Sequence, residues 1–358
     1  MSATSPPASE QERLGSIALD QWRGLALVLV LISHGFYFTG RVDGLGRVGV
    51  NLFFFISGIL VFRSLSRSRA KTGWERTRTY WWRRLRRLYP ALAAYVLAML
   101  PLAWLLQHRP NLPPDSDFHS YLRSIPPALT GSINYVGHVS WSLGHLWSIA
   151  CEAQFYLLAP LIFIAGGVTG RRRDLVFGIM LLVLAGLGMA QPFVGTGKYQ
   201  FEFAVWPMTL GFCCEYKRDW FRKLTGSQAT MIFRFASVVG GLSLLLMLFG
   251  LKMKVAVVAT GTLLLAPCLI AYLFGRPIPG IAGRCLKWLG ERTYSIYLWQ
   301  EPFTICSYLP NLLQPAGAVI SVAVGGTWFH FFERPFLSAS SRNKSSFGHA
   351  GISVLGKM

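Results

Sequence analysis

Acidic residues are scarce in this sequence. Asp and Glu number 15 in 358 positions against 35 Lys and Arg, and only 14% of the chain is charged. A soluble domain carries about a quarter charged residues, so an ordinary water-soluble globule is excluded. The six cysteines, Cys151, Cys213, Cys214, Cys268, Cys285 and Cys306, all fall in or beside apolar stretches. They form neither a C-x-x-C zinc pattern nor the framework of a small secreted domain, and packing is the role expected of all six. The first twenty residues lack the basic n-region of a secretory leader, and no A-x-A site follows the first apolar run. No repeat period is present, and no stretch offers a separate soluble domain.

What is abundant is apolar. Hydrophobic residues make up 53% of the chain and the mean hydropathy is +0.42. Crossing about 30 Å of hydrocarbon takes roughly 20 apolar residues per helix. Candidate spans lie at 23–40, 47–62, 88–107, 142–165, 175–192, 201–214, 235–251, 255–273, 292–309 and 315–333. The expected fold is an all-α polytopic membrane protein of about ten transmembrane helices, occupying 16–337. The ends, 1–15 and 338–358, are expected to be disordered tails. The connection 108–141 reads as a structured loop or a short amphipathic piece. With both termini cytoplasmic, the basic residues left outside are Arg41, Arg47, Arg109, Arg123, Lys198, Lys252 and Lys254. That is a four-to-one bias toward the inside. It accounts for most of the +20 net charge without nucleic acid.

Several polar groups are not explained by spanning a bilayer. Arg23 and His34 bracket the apolar stretch GLALVLVLIS. Eleven residues at 100° each return to within about 20° of the starting azimuth after a rise of about 16 Å, so both point the same way. Snorkelling accounts for Arg23; His34 is either a hydrogen-bonded packing residue or a reactive one. Arg83, Arg84, Arg86 and Arg87 lie within about one helical turn, with Arg84 and Arg87 sharing a face. A positive-inside anchor with Trp74, Trp81 and Trp82 at the interface suffices for them; a guanidinium site for phosphate is the sharper reading. Glu152 lies in an apolar run, with His145 seven residues earlier on nearly the same expected face. Gln300 and Glu301 precede Pro302 in mid-run, where a freed carbonyl often borders a cavity. Asn51 needs partners, and Ser57-Gly58 permits close helix approach. His330 and Glu333, near Arg334, are consistent with a local ion pair at the membrane surface.

Taken together, these residues resemble the acyltransferase-3 family of bacterial multi-spanning O-acyltransferases. Arg23 and His34 match its Arg-x10-His signature, and GVNLFFFISGIL its second-helix signature. RRLRRLYP resembles its Arg-x-x-Arg element, and HLWSIACEAQFYLLAPL its W-S-L-x-x-E-x-x-F-Y element. YSIYLWQEP and FFERPFL resemble its late-helix patterns, so the resemblance spans about 17–337. Asn51 stands where many members have Asp, Gln300 where many have His, and Ile149 and Ala153 replace common Leu and Glu.

The resemblance implies a cytoplasmic acyl-CoA donor, commonly acetyl-CoA, and no permanently bound cofactor. It implies a hydroxyl acceptor on a surface glycan or its lipid-linked precursor, or in some members on a secreted small molecule such as a macrolide. His34 takes the catalytic role, Arg23 is its signature partner and Glu152 is the family's carboxylate. Arg84 and Arg87, with Arg83 and Arg86 beside them, take the acyl-CoA side. His145, Trp147, Gln300, Glu301, Asn51 and Ser57 are candidates for the acceptor side or a cavity. Ser33, Ser57 and Cys151 are conceivable acyl relays, with packing as the alternative. The location implied is the bacterial inner membrane. A transporter for an anionic or glycan substrate shares ten helices and buried His and Glu, but such proteins often carry paired broken repeats, which this sequence lacks.

Overall fold

The computed structural model describes residues 8–36, 43–68, 72–108, 117–167, 170–194, 199–223, 254–304 and 313–335, with a few isolated positions between them. Among these residues the chain is all-helical. The long elements are α1 (Ala8–Gly35), α2 (Asp43–Ser66), α3 (Gly73–Leu106) and α4 (Phe118–Thr130). They are followed by α5 (Trp141–Gly144), α6 (Trp147–Ala165), α7 (Arg171–Val194), α8 (Phe201–Ala204), α9 (Trp206–Tyr216) and α10 (Arg218–Arg222). The last are α11 (Lys254–Leu273), α12 (Gly280–Glu291), α13 (Thr293–Phe303) and α14 (Gln314–Trp328), which ends in a π turn over Phe329–Glu333. Five helical stretches among the described residues are long and apolar enough to cross a membrane: Ser9–Gly35, Gly44–Ser66, Gly73–Leu105, Trp141–Ala165 and Gln314–Glu333. The candidate span 235–251 and the tail 338–358 lie almost wholly outside the described residues, as does Cys306.

The core is built around α1 and α2. α2 packs most extensively on α9, and α1 on both α2 and α12. The α2–α9 contact depends on two glycines: a methyl group on Gly58 would overlap the Met208 carbonyl, and one on Gly211 the Phe55 carbonyl. The small pair Ser57-Gly58 therefore does bring two backbones together. Packed against this pair are Phe54, Phe62, Phe155, Phe163, Phe177 and Phe212. Rings of Phe62 and Phe212 meet edge to face at 5.0 Å, a favoured aromatic arrangement.

Several elements differ from expectation. α1 begins at Ala8, so residues 8–15 are helix rather than tail. Glu12 ties that first part to Arg67 at 2.8 Å and Arg218 at 3.4 Å, and the Gln11 amide donates to the Leu273 carbonyl. The Arg-rich segment is the first half of α3, which runs unbroken for 34 residues. At 1.5 Å per residue α3 is about 50 Å long, more than a bilayer core needs, so its charged turns extend beyond the apolar part. Its start is fixed by Thr72, whose hydroxyl accepts from the Glu75 amide at 3.1 Å. The connection 108–141 contains α4, begun by Asp117, whose carboxylate accepts from the Ser120 amide at 2.8 Å. The expected helix 142–165 is broken between α5 and α6, where His145 and Leu146 close i→i+3 turns. Its partner 201–214 is broken at Val205, before Pro207. α12 lies between the expected spans 255–273 and 292–309; it packs on α1, with Gln21 bonding the Ile278 amide and Gly283 carbonyl. Cys285 is exposed on that helix, unlike the buried Cys151, Cys214 and Cys268.

Candidate active site

α1 carries Arg23 and His34 on one face, and the structure shows what lies between them. A narrow cleft runs along that face. α1 lines it with Ala26, Leu27 and Val30; α2 with Gly49, Val50 and Phe53; α6 with Ser148, Ile149 and Glu152; and α13 with Thr293, Tyr294 and Tyr297. The apolar residues between the two signature positions thus form one wall of an internal passage.

At the His34 end, His34 Nδ1 bonds Gln300 Oε1. With the Gln300 amide oxygen toward the ring, Nδ1 is the protonated nitrogen and Nε2 keeps its lone pair, while the Gln300 amide nitrogen is buried without a partner among the described residues. Gln300 is fully buried, and it fixes the tautomer from the position where the resembling family often has His. Beside this nitrogen stands Gly46 of α2. A methyl group there would sit 2.9 Å from Ser33 Oγ and 3.7 Å from His34 Nε2, so the glycine leaves open space at the free nitrogen. Glu301, the next residue of α13, lies within electrostatic reach of His34, as does His145. His145 Nδ1 is 2.8 Å from Glu301 Oε2, whose oxygen also accepts from the His145 backbone amide at 2.9 Å. The other ring nitrogen of His145 donates to the Leu298 carbonyl at 3.1 Å.

At the Arg23 end the groups are charged. Glu152 is 4% exposed. Its Oε1 accepts from Ser57 at 2.7 Å and from the Tyr156 hydroxyl. Arg84 donates to Tyr156 at 3.4 Å and lies over the Tyr156 ring at 4.6 Å and the Tyr80 ring at 5.4 Å. Removing the partners of a buried charge typically costs about 3–5 kcal/mol, which explains the donors gathered around this carboxylate. Arg23 lies over Phe53 at 5.5 Å and 3.9 Å from Asp20. Arg87 is within electrostatic reach of Arg23, Asp20 and Glu333.

The four arginines of α3 separate by helix face. Arg84 and Arg87 are half-buried toward the cleft end; Arg83 and Arg86 are exposed, and Arg86 stacks on the exposed Trp82 at 4.5 Å. His145 and Glu152 do not share a helix face, because the break before α6 takes His145 out of that helix. His34 and Glu152 have separate partners at opposite ends of the cleft, so the carboxylate that faces His34 is Glu301. Trp147, at the start of α6, stacks on Tyr199 at 4.7 Å with Arg47 over its ring at 5.3 Å. Asn51 is buried in α2. Cys151 faces the Tyr199 carbonyl at 3.3 Å and Asn134 at 3.6 Å, away from the His34 pair. Glu333 forms no surface pair with Arg334. It is 1% exposed and accepts from Ser295 at 2.8 Å, while Arg334 meets His330. Sequence reading gave Tyr156 no role of its own, put Glu333 at the surface and passed over Gly46. Tyr156 had a signal in its i,i+4 spacing from Glu152; the other two had none.

Comparison with known proteins gives the chain's family. The acyltransferase-3 family, described as an acyltransferase domain, matches residues 16–331. The peptidoglycan O-acetyltransferase OatA of Listeria monocytogenes serovar 1/2a is 25% identical over 89% of this chain and 55% of its own length. The Bacillus subtilis (strain 168) protein named "Putative peptidoglycan O-acetyltransferase YrhL" is 25% identical over 91% of the chain and 56% of its own length. A Staphylococcus aureus (strain COL) protein, "Putative O-acetyltransferase SACOL0978", is 25% identical over 81% and 50% respectively. The chain spans about half the length of these curated relatives. No solved structure matches it significantly. With residues 16–331, nearly the whole helical domain, matched, the chain belongs to the acyltransferase-3 family.

Proposed function

We propose that this protein is an inner-membrane O-acyltransferase that moves an acyl group, in the simplest case acetyl, from cytoplasmic acyl-CoA to a hydroxyl of a surface glycan or its lipid-linked precursor. The observation that carries the reading is a cleft walled by the α1 residues between Arg23 and His34, with the buried arginines grouped toward Arg23 and a hydrogen-bonded imidazole at His34. The names of the relatives point to peptidoglycan as the first acceptor to test. Ten spans with both termini cytoplasmic put Arg23, Arg84 and Arg87 at the inner face and His34 toward the outer one.

Arg84 and Arg87, with Arg23 beside them, suit the diphosphate and 3′-phosphate of CoA. The pantetheine arm extends along the apolar wall of α1 and delivers the thioester to His34. There the acceptor hydroxyl gives its proton to Nε2 as its oxygen attacks the thioester carbonyl. The carbon–sulfur bond then breaks and the imidazolium returns the proton to the CoA thiolate. Gln300 holds the ring in the required tautomer, and Glu301 balances the transient imidazolium. Glu152 and Tyr156 brace Arg84. Asn51, Trp147 and His145 remain candidates for shaping the acceptor side; Arg83 and Arg86 contribute only long-range charge.

The test uses proteoliposomes loaded with labelled acetyl-CoA and supplied with peptidoglycan fragments outside. Label in the fragments is expected, and its loss in His34→Ala with the protein still folded. Movement of unmodified solute without label transfer would replace the enzyme with a transporter.

A further inference from the structure

The cleft is apolar but for a few oxygens, and nearly all of these are already used. Ser148 and Tyr297 bond each other at 2.8 Å and both reach the His145 carbonyl. Thr293 donates to the Leu289 and Gly290 carbonyls, and Tyr294 to the Leu88 carbonyl at 2.7 Å. Glu152 differs. Its Oε1 takes both donors, Ser57 and Tyr156, and its Oε2 has no hydrogen-bond partner among the described residues. An ionised carboxylate accepts on both oxygens, and Glu152 Oε2 is not sealed from the cleft that Glu152 lines. A passage with apolar walls and one idle anionic acceptor suits a chain that is mostly aliphatic and brings one N–H to that depth.

We infer that Glu152 Oε2 is the receptor for a secondary amide N–H of a pantetheine arm, which makes Glu152 a donor-positioning residue rather than an acid–base group. This rests on the acyl-thioester reading above. The depth agrees. The α1 residues lining the cleft lie four to eight positions before His34, or about 6–12 Å along the helix. An extended chain advances about 1.2 Å per bond. The inner amide nitrogen of pantetheine, seven bonds from the sulfur, is therefore about 8 Å from a thioester held at His34. The same arm occurs in CoA and in acyl carrier protein, and the arginines decide between them: CoA brings a diphosphate and a 3′-phosphate, the carrier a single phosphodiester.

The experiment is equilibrium binding to purified full-length protein, with CoA, 4′-phosphopantetheine and 3′,5′-ADP (the nucleotide end without the arm) as probes. For Glu152→Ala we expect CoA and phosphopantetheine to bind at least tenfold more weakly and 3′,5′-ADP to lose less than threefold, the share that passes through Arg84. Glu152→Gln, which keeps an acceptor oxygen and loses the charge, is expected to restore part of the loss. Tyr156→Phe removes a donor from Oε1 and an acceptor from Arg84 and controls for the arginine brace; it is expected to lose less phosphopantetheine binding than Glu152→Ala. Equal losses for CoA and 3′,5′-ADP, or unchanged CoA binding, overturn the assignment of Glu152 while leaving acyl-CoA as donor. Wild-type protein that binds none of the three probes overturns the donor reading itself. Wild-type protein that binds phosphopantetheine but not 3′,5′-ADP supports the Glu152 assignment and replaces CoA with a carrier protein.

Discussion

The two ends of the cleft use opposite chemistry. At the Arg23 end, full charges crowd together: Arg23, Arg84 and Arg87 against Glu152, Asp20 and Glu333. At the His34 end, hydrogen bonds set a neutral imidazole against Gln300, with a His145–Glu301 pair behind it. The difference is physical. A phosphate-bearing ligand is held by standing charge, which survives only where each cation is flanked by buried acceptors and rings. A general base must be neutral until it takes its proton, so its neighbours fix tautomer and geometry. One α1 face, read over eleven residues, links the two regimes.

The largest way to break the comparison is at the base. His34→Ala is expected to lower acceptor acylation by about 10²–10⁴-fold, with donor binding and thermal stability near wild type; turnover at the wild-type rate would remove His34 from the chemistry. Next is the donor end. Arg84→Ala with Arg87→Ala is expected to raise the KM for acetyl-CoA about tenfold or more with kcat little changed. The exposed pair Arg83→Ala with Arg86→Ala is expected to shift it by less than threefold, and equal losses would reduce the arginines to generic charge.

Gln300 sharpens the contrast between binding and chemistry. Gln300→Leu leaves the Nδ1 proton without an acceptor, so kcat is expected to fall about tenfold while the donor KM holds. Gln300→His should recover part of the rate, and a KM-only effect would place Gln300 in binding. A stability control lies away from both ends. Gly58→Ala pushes a methyl into the Met208 carbonyl, and overpacking of this kind costs about 1–3 kcal/mol, read as a lowered melting temperature.

The smallest effect is expected at Asp117→Ala, which removes the α4 cap at a cost of about 1 kcal/mol. Bonds from the Ser120 hydroxyl and amide hold the Asp117 carboxyl below its usual 3.8. The cap therefore contributes fully above that value and fades as pH falls through the lower folded one. The gap in melting temperature between variant and wild type should close in acid.

Much of this could be read without coordinates. The apolar runs predict helices because no other element satisfies its own backbone in lipid. The eleven-residue spacing places Arg23 and His34 on one face because helical periodicity is local. The i,i+3 spacing pairs Arg84 with Arg87 and Arg83 with Arg86 on two faces, but spacing alone did not show which pair turns inward. Local rules failed where a helix is interrupted. The continuous apolar pattern of 142–165 hides the break at His145, and with it the error of placing His145 beside Glu152.

What the sequence determined by itself, then, is the helical membrane class, the basic segment and the shared face of α1, all consequences of composition and a fixed helical rise. What only the tertiary structure decided is pairing. Gln300 holds His34, Glu301 stands behind it, Ser57 and Tyr156 hold Glu152, and Glu333 turns inward rather than to the surface. Apart from Tyr156, which lies one helical turn from Glu152, these partners come from helices far apart in the chain. Their meeting depends on how close α1, α2, α6 and α13 approach, which side-chain volume and the glycine contacts set, and which no periodicity encodes.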